Sequence, residues 1–151
     1  MAVWITFVGL SPMAVVNTLW MARQHDHISI SKLYLLTNQK IANDSINAIS
    51  SECRAMFPGC EVKEVQFSQE NVDDIISVIK AIIARESAKN TLIDITAGRK
   101  FMSAVAMKAG VETKVEKIYY LYLKDDKYLN KRYDEIPVTQ MELYNLREHY
   151  D

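Results

Sequence analysis

Short apolar runs alternate with apolar stripes of helical spacing along nearly the whole of this 151-residue chain. The run at 3–8 predicts a strand. Residues 12 to about 24 carry Val15, Val16, Leu19 and Trp20 on one helical face. Residues 31–37, with Leu33, Leu35 and Leu36, read as a second strand. Ala42, Ile46, Ile49, Cys53 and Met56 then recur at helical spacing until Pro58-Gly59 stops the run. Residues 61–67 alternate Val62, Val65 and Phe67 with charge, as a strand near a sheet edge does. Ser68 is placed to cap a helix whose stripe is Val72, Ile75, Ile76, Ile79, Ile82 and Ile83. A strand at 91–95, a helix at 100–108 with Gly110 as its cap, and a strand at 118–123 follow.

Five strands separated by four helices predict an α/β fold with a doubly wound, mainly parallel sheet of five to six strands, helices on both faces and right-handed crossovers. After Lys124 the pattern weakens. Residues 125–134 are polar and read as mobile, Ile136-Pro137-Val138 as a short edge strand, and Thr139-x-x-Glu142 as a capping box opening a last helix. The chain thus reads as one domain, 1–151, with 125–151 as a C-terminal extension of edge strand and helix.

Composition adds exclusions. The content is 49% hydrophobic and 25% charged, as in ordinary globular proteins, and the net charge of -1 argues against a duplex DNA or RNA binder. A small phosphorylated ligand held by a local cluster is still allowed. Cys53 and Cys60 have neither CxxC nor zinc spacing and read as reduced packing thiols of a cytoplasmic protein. The apolar N-terminus lacks the basic start and cleavage site of a leader, and no apolar run approaches the ~20 residues of a membrane span.

The chemistry gathers at two junctions. Strand 91–95 breaks at Gly98 straight into a helix whose first turn carries Arg99 and Lys100, where the macrodipole and free amides favour anions instead. A strand-Thr96-Ala97-Gly98-Arg99-Lys100-helix junction makes physical sense around a phosphate. The other reading is a tight turn at Gly98 with both cations in water. In a doubly wound sheet of order 3-2-1-4-5, the loops after strands one and four converge where strand order reverses. The first of these loops is Gly9-Leu10-Ser11-Pro12-Met13, again glycine, hydroxyl and helix start. Ser11 alone reads as a helix cap; convergence with Gly98-Arg99-Lys100 favours a ligand role. G-x-G-x-x-G and Walker patterns are absent, which argues against a dehydrogenase or NTPase. His25, His27 and His149 lie away from these loops and no metal-ligand spacing exists. Asp94, among apolar strand residues, reads as a hydrogen-bonded structural carboxylate. Tyr119, Tyr120 and Tyr122 read as core and partner-facing strand residues.

At these loops the sequence resembles the CARF family, CRISPR-associated Rossmann-fold domains that bind cyclic oligoadenylates. The resemblance rests on Gly9 to Val16 and Asp94 to Ser103, and it extends topologically from Val3 to about Leu123. Leu35-Leu36-Thr37-Asn38-Gln39 resembles the family's second ligand-side loop, and Ala97 stands where many relatives have a second glycine. The resemblance implies a Rossmann-like fold and a two-fold homodimer with the ring across its axis. No fused effector or HEPN-type Arg-x4-6-His is visible, so the chain looks like a stand-alone ring nuclease that switches off type III CRISPR signalling. Ser11 and Lys100 match that class's catalytic positions. Gly9, Leu10, Pro12, Met13, Thr37, Asn38, Gln39, Thr96, Ala97, Gly98, Arg99 and Met102 are the expected ligand contacts. No metal or other cofactor is implied, and cyclic tetra-adenylate is the expected ring. Met102, Val105 and Met107 are expected to help build the dimer interface. A non-catalytic sensor module is the alternative, and an unrelated mononucleotide-binding domain a third reading.

Overall fold

The computed structural model describes residues 1–38, 43–68 and 71–150. Its strands are β1 (Ala2–Phe7), β2 (Ile30–Thr37), β3 (Glu61–Gln66), β4 (Thr91–Asp94), β5 (Lys117–Leu123) and β6 (Met141–Asn145). The helices are α1 (Pro12–Asp26), α2 (Asn43–Met56), α3 (Val72–Glu86) and α4 (Lys100–Thr113). The strands form one sheet in the order β3-β2-β1-β4-β5-β6, with only the β5–β6 pair antiparallel. Strand order reverses at β1 and β4, as in the common doubly wound order 3-2-1-4-5, with β6 added beside β5.

Alternate residues of the central strands serve opposite cores. Trp4, Leu33, Leu35 and Tyr119 pack with Val15, Leu19, Ile49 and Cys53 on the α1–α2 face. Ile5, Phe7, Leu36, Ile93 and Ile118 pack with Ile75, Ile79, Met102 and Ala106 on the α3–α4 face. Cys53 and Cys60 are free buried thiols with sulfurs 3.6 Å apart. Among the described residues no helix is long and apolar enough to cross a membrane.

Several expectations change. Helix α4 does not end near Gly110: it continues to Thr113, and Lys114 caps it in the left-handed conformation (φ 58°). Gly110 is needed for close helix–sheet packing instead, since a Cβ there would lie 2.8 Å from Ile118 Cδ1. Asn71, not Ser68, caps α3 by accepting from the Asp74 amide, while the Ser68 amide donates to the Asp74 carboxylate. Finally, residues 141–145 form strand β6 where a helix was expected, and Ile136-Pro137-Val138 forms no strand. The unpaired edge of β5 accounts for this. Pairing Leu121 with Leu143 and Leu123 with Met141 satisfies that edge and buries Met141 with Met21, Leu121 and Ile136. The last helical element is only the short 3-10 turn Leu146–His149.

Segment 125–134, expected to be mobile, is tied down at several points. The Asn17 side-chain amide donates to the Lys131 carbonyl at 2.9 Å, Arg132 pairs with Glu52 at 3.1 Å, and Trp20 stacks on Tyr133 at 4.7 Å.

Candidate functional site

The loops after β1 and β4 touch at the carboxyl edge of the sheet. A Cβ on Gly9 would lie 3.1 Å from the Gly98 amide nitrogen, so a side chain there would force the facing turn to shift. Gly98 has φ +94°, and a Cβ there would lie 3.1 Å from Phe7 Cβ. Gly9 thus permits a close approach of backbone to backbone, and Gly98 a left-handed turn packed over the Phe7 side chain.

Buried hydrogen bonds hold this turn from beneath. Asp94, fully buried, accepts from the Thr96 amide (2.8 Å) and the Thr6 hydroxyl (3.2 Å). Burial pushes its carboxyl up to about 7 against those two partners, which pull the other way. Thr96 Oγ1 accepts from the Leu121 amide (2.9 Å) and from the Thr18 hydroxyl (3.3 Å), tying the turn to β5 and α1. The Ser103 hydroxyl donates to the Ile95 carbonyl at 2.8 Å. Asp94 therefore acts on the shape of the turn and is sealed from any ligand above it.

Above the turn, two helix N-termini are left without side-chain caps. Ser11 is the N-cap of α1 in extended conformation, and its hydroxyl makes no cap hydrogen bond. Arg99 is the N-cap of α4, likewise without a side-chain cap, and Lys100 opens the helix. Neither first turn contains an acid. Lys100 is exposed and pairs with no carboxylate among the described residues. The result is an edge rich in amide donors and positive charge, suited to an anion.

The remaining expected contacts separate into three groups. Gly9, Pro12, Met13, Asn38 and Thr96 are half-buried at this edge, and Leu10, Gly98 and Arg99 are exposed. Thr37 is buried at the end of β2, where its carbonyl accepts from the Phe67 amide. Ala97 and Met102 are buried too, Met102 with its sulfur beneath Gly98. These two support the turn from the core, and Met102 is not available to a partner surface as expected. Gln39 lies outside the described residues. No group of three His, Cys, Asp or Glu side chains among the described residues could hold a metal ion.

The structure adds a feature the sequence reading missed. A cavity of about 280 Å³ opens beside Ser11, Met13 and Thr96, walled by Asn17 of α1, Tyr120 to Leu123 of β5, and Asp126, Leu129 and Asn130. Tyr120 and Tyr122 of β5, which border it, are partly exposed.

A family model of the Card1 CARF domain matches residues 10–148. The chain belongs to the CARF family. Among solved structures, the Enterococcus italicus Csm6 bound to cyclic hexa-2'-fluoro-hexa-dAMP superposes with a TM-score of 0.63 at 11% identity, covering 99% of this chain and 43% of that one. This CARF domain thus spans less than half the length of that protein. A levodione reductase superposes with a TM-score of 0.52 at 12% identity over 78% of this chain and 52% of its own. At such identities the likeness is one of fold, and the dinucleotide fingerprint of dehydrogenases is absent here. No protein of curated function matches the chain in sequence.

Proposed function

We propose that this CARF domain binds a cyclic oligoadenylate across the Ser11 and Gly98–Lys100 loops and opens it. The observation that supports the reading is the close approach of Gly9 to Gly98, which joins the two loops that lead into uncapped helix N-termini and carry Ser11 and Lys100. Membership of the family and the likeness to a Csm6 bound to a cyclic nucleotide ring support it.

In the proposed reaction a ribose 2′-oxygen attacks the adjacent phosphorus. The P–O5′ bond breaks, the 2′-hydroxyl proton passes to the leaving 5′-oxygen, and the product is linear with a 2′,3′-cyclic phosphate. The nucleophile is already part of the ligand, so holding it in line converts binding energy into rate. Lys100 stabilises the charge that grows on the phosphorane, helped by Arg99 and the α4 amides. Ser11 orients the attacked phosphate or the hydroxyl. A two-fold partner would supply the second half of the cradle, giving one ring per homodimer.

Incubating the purified protein with labelled cyclic tetra- and hexa-adenylate in EDTA tests this. Linear product ending in a cyclic phosphate is the expected result, with one ring per dimer at saturation. Tight binding with the ring intact would make the chain a sensor module, and a strict requirement for added metal would overturn the mechanism.

A further inference from the structure

The chain's two cysteines, Cys53 and Cys60, take no part in the anion edge, yet the fold brings them together. Cys53 lies in the last turn of α2, and Cys60 directly precedes β3. The chain turns back on itself between them. The Phe57 amide donates to the Cys53 carbonyl at 2.8 Å, and the Cys60 amide to the Phe57 carbonyl at 3.0 Å. Gly59, at φ 85°, supplies the left-handed residue that this reversal needs. The sulfurs thereby stand 3.6 Å apart, the Cys53 thiol donating to Cys60. A disulfide holds them at about 2.05 Å, a closure of about 1.5 Å.

The two sulfurs differ in access and in acidity. Cys53 is fully buried in the core on the α1–α2 face. Cys60 is 5% exposed and sits between the exposed Gly59 and Glu61, within reach of a reagent the size of water. Their shared contact pushes the Cys53 thiol up, and burial adds to this. The same contact draws the Cys60 thiol down against its own burial, and the Arg54 charge assists. Cys60 is thus the nucleophile of the pair and Cys53 the resolving thiol.

We propose that Cys53 and Cys60 form an oxidation site, which a small hydroperoxide converts to a disulfide that pins β3 to α2. The Cys60 thiolate attacks a peroxide oxygen and the O–O bond breaks, leaving a sulfenic acid on Cys60 and releasing an alcohol, or water from hydrogen peroxide. The Cys53 sulfur then attacks the sulfenic sulfur, the S–O bond breaks, and water leaves as the S–S bond forms. Two thiols and one hydroperoxide give one disulfide, one alcohol and one water; the thiols are oxidised and the peroxide reduced. The bond acts where the sheet is held least. β3 is an edge strand, paired with β2 alone, and Glu61, Glu64 and Gln66 along it are exposed. Its start lies at the amino edge of the sheet, opposite the Ser11 and Lys100 loops, so this site stands independently of the ring-binding reading.

The test treats the unmodified protein with hydrogen peroxide, blocks remaining thiols by alkylation and digests with trypsin without reductant. Arg54 lies between the cysteines, so the disulfide joins peptide 41–54 to peptide 55–63, and dithiothreitol separates them. Both thiols should become unreactive, and the joined peptides should weigh two hydrogens less than their sum. The oxidised protein should melt about 5 °C above the reduced one, and dithiothreitol should reverse the shift. Cys53→Ser should stop at the Cys60 sulfenic acid, which dimedone traps, whereas Cys60→Ser should react at least about tenfold more slowly with peroxide. The digest and the melting shift need no variant, so they decide the proposal even where a serine in the core prevents folding. Oxidation that ends in separate sulfinic acids, crosslinks between two chains, or a crosslinked chain that melts no higher than the reduced one would overturn it.

Discussion

The N-terminus of α3 and those of α1 and α4 solve the same problem in opposite ways. Every helix begins with amide groups that have no partner within the helix. In α3 the chain provides its own: Asn71 accepts from the Asp74 amide, and Asp73 and Asp74 place negative charge in the first turn. In α1 and α4 no side chain caps the end and no acid sits in the first turn; α4 instead begins Arg99-Lys100. The first solution favours stability. The second leaves backbone donors and the Lys100 charge available at the edge where strand order reverses between β1 and β4, which is where a doubly wound sheet can hold a ligand. A helix end satisfied from within has little left to offer outside.

The contrast can be broken most severely at Lys100. If the proposed chemistry holds, Lys100→Ala should reduce ring opening on the order of 10²–10³-fold while affecting affinity much less. Parallel cleavage and binding titrations check this, and equal losses in both would make Lys100 a ground-state anchor.

Asp94 tests what holds the open ends in place. Its carboxyl titrates at about 7 in the folded protein and near 4 in an unfolded chain. Between those values the folded state keeps a proton that the unfolded chain has released. Stability should therefore fall as pH rises, by up to about 1.4 kcal/mol per pH unit, and level off above the upper value. Asp94→Asn should flatten the profile of denaturant midpoints against pH over that range.

Two glycines of similar backbone sharpen the comparison next. Gly98→Ala meets Phe7 at φ +94° and should cost about 1–3 kcal/mol together with ligand affinity. Gly59→Ala, at φ +85° with open space around it, should cost about 1 kcal/mol and leave ligand binding unchanged. Urea titration and ligand titration of both variants separate local strain from the loss of the loop contact.

The smallest effects form a cross. Asn71→Ala should lower stability by about 1 kcal/mol without changing ring opening. Ser11→Ala should leave stability within about 0.5 kcal/mol, since its hydroxyl caps nothing, and slow ring opening about tenfold. Unchanged kinetics in Ser11→Ala would remove Ser11 from the proposed mechanism.

How legible each feature was in sequence depended on whether its cause was local. Val72 to Ile83 repeats at helical spacing because one helix face must be dry, and α3 follows from that alone. The Ser11 and Lys100 loops were legible because glycine at strand–helix junctions and cations at a helix start violate local preference without a ligand. Gly110 misled because glycine often ends helices, whereas here its missing Cβ admits Ile118 at the sheet. Residues 139–142 misled similarly: Thr139-x-x-Glu142 resembles a capping box, yet Met141-Glu142-Leu143-Tyr144 also alternates as a strand does. The open edge of β5 decided between them.

The sequence by itself determined the alternation of strands and helices and the two loops that bear Ser11 and Lys100. Each is written in patterns shorter than about twenty residues, within reach of propensity and periodicity. Tertiary structure alone decided that Gly9 rests on Gly98, that Asp94 is sealed beneath them, and that Asn17 meets Lys131 across 114 positions of chain. It also decided that Met102 turns into the core and that β5, α1 and residues 126–130 border a cavity. These features depend on which surfaces the packed elements leave open to one another, and no local pattern encodes that.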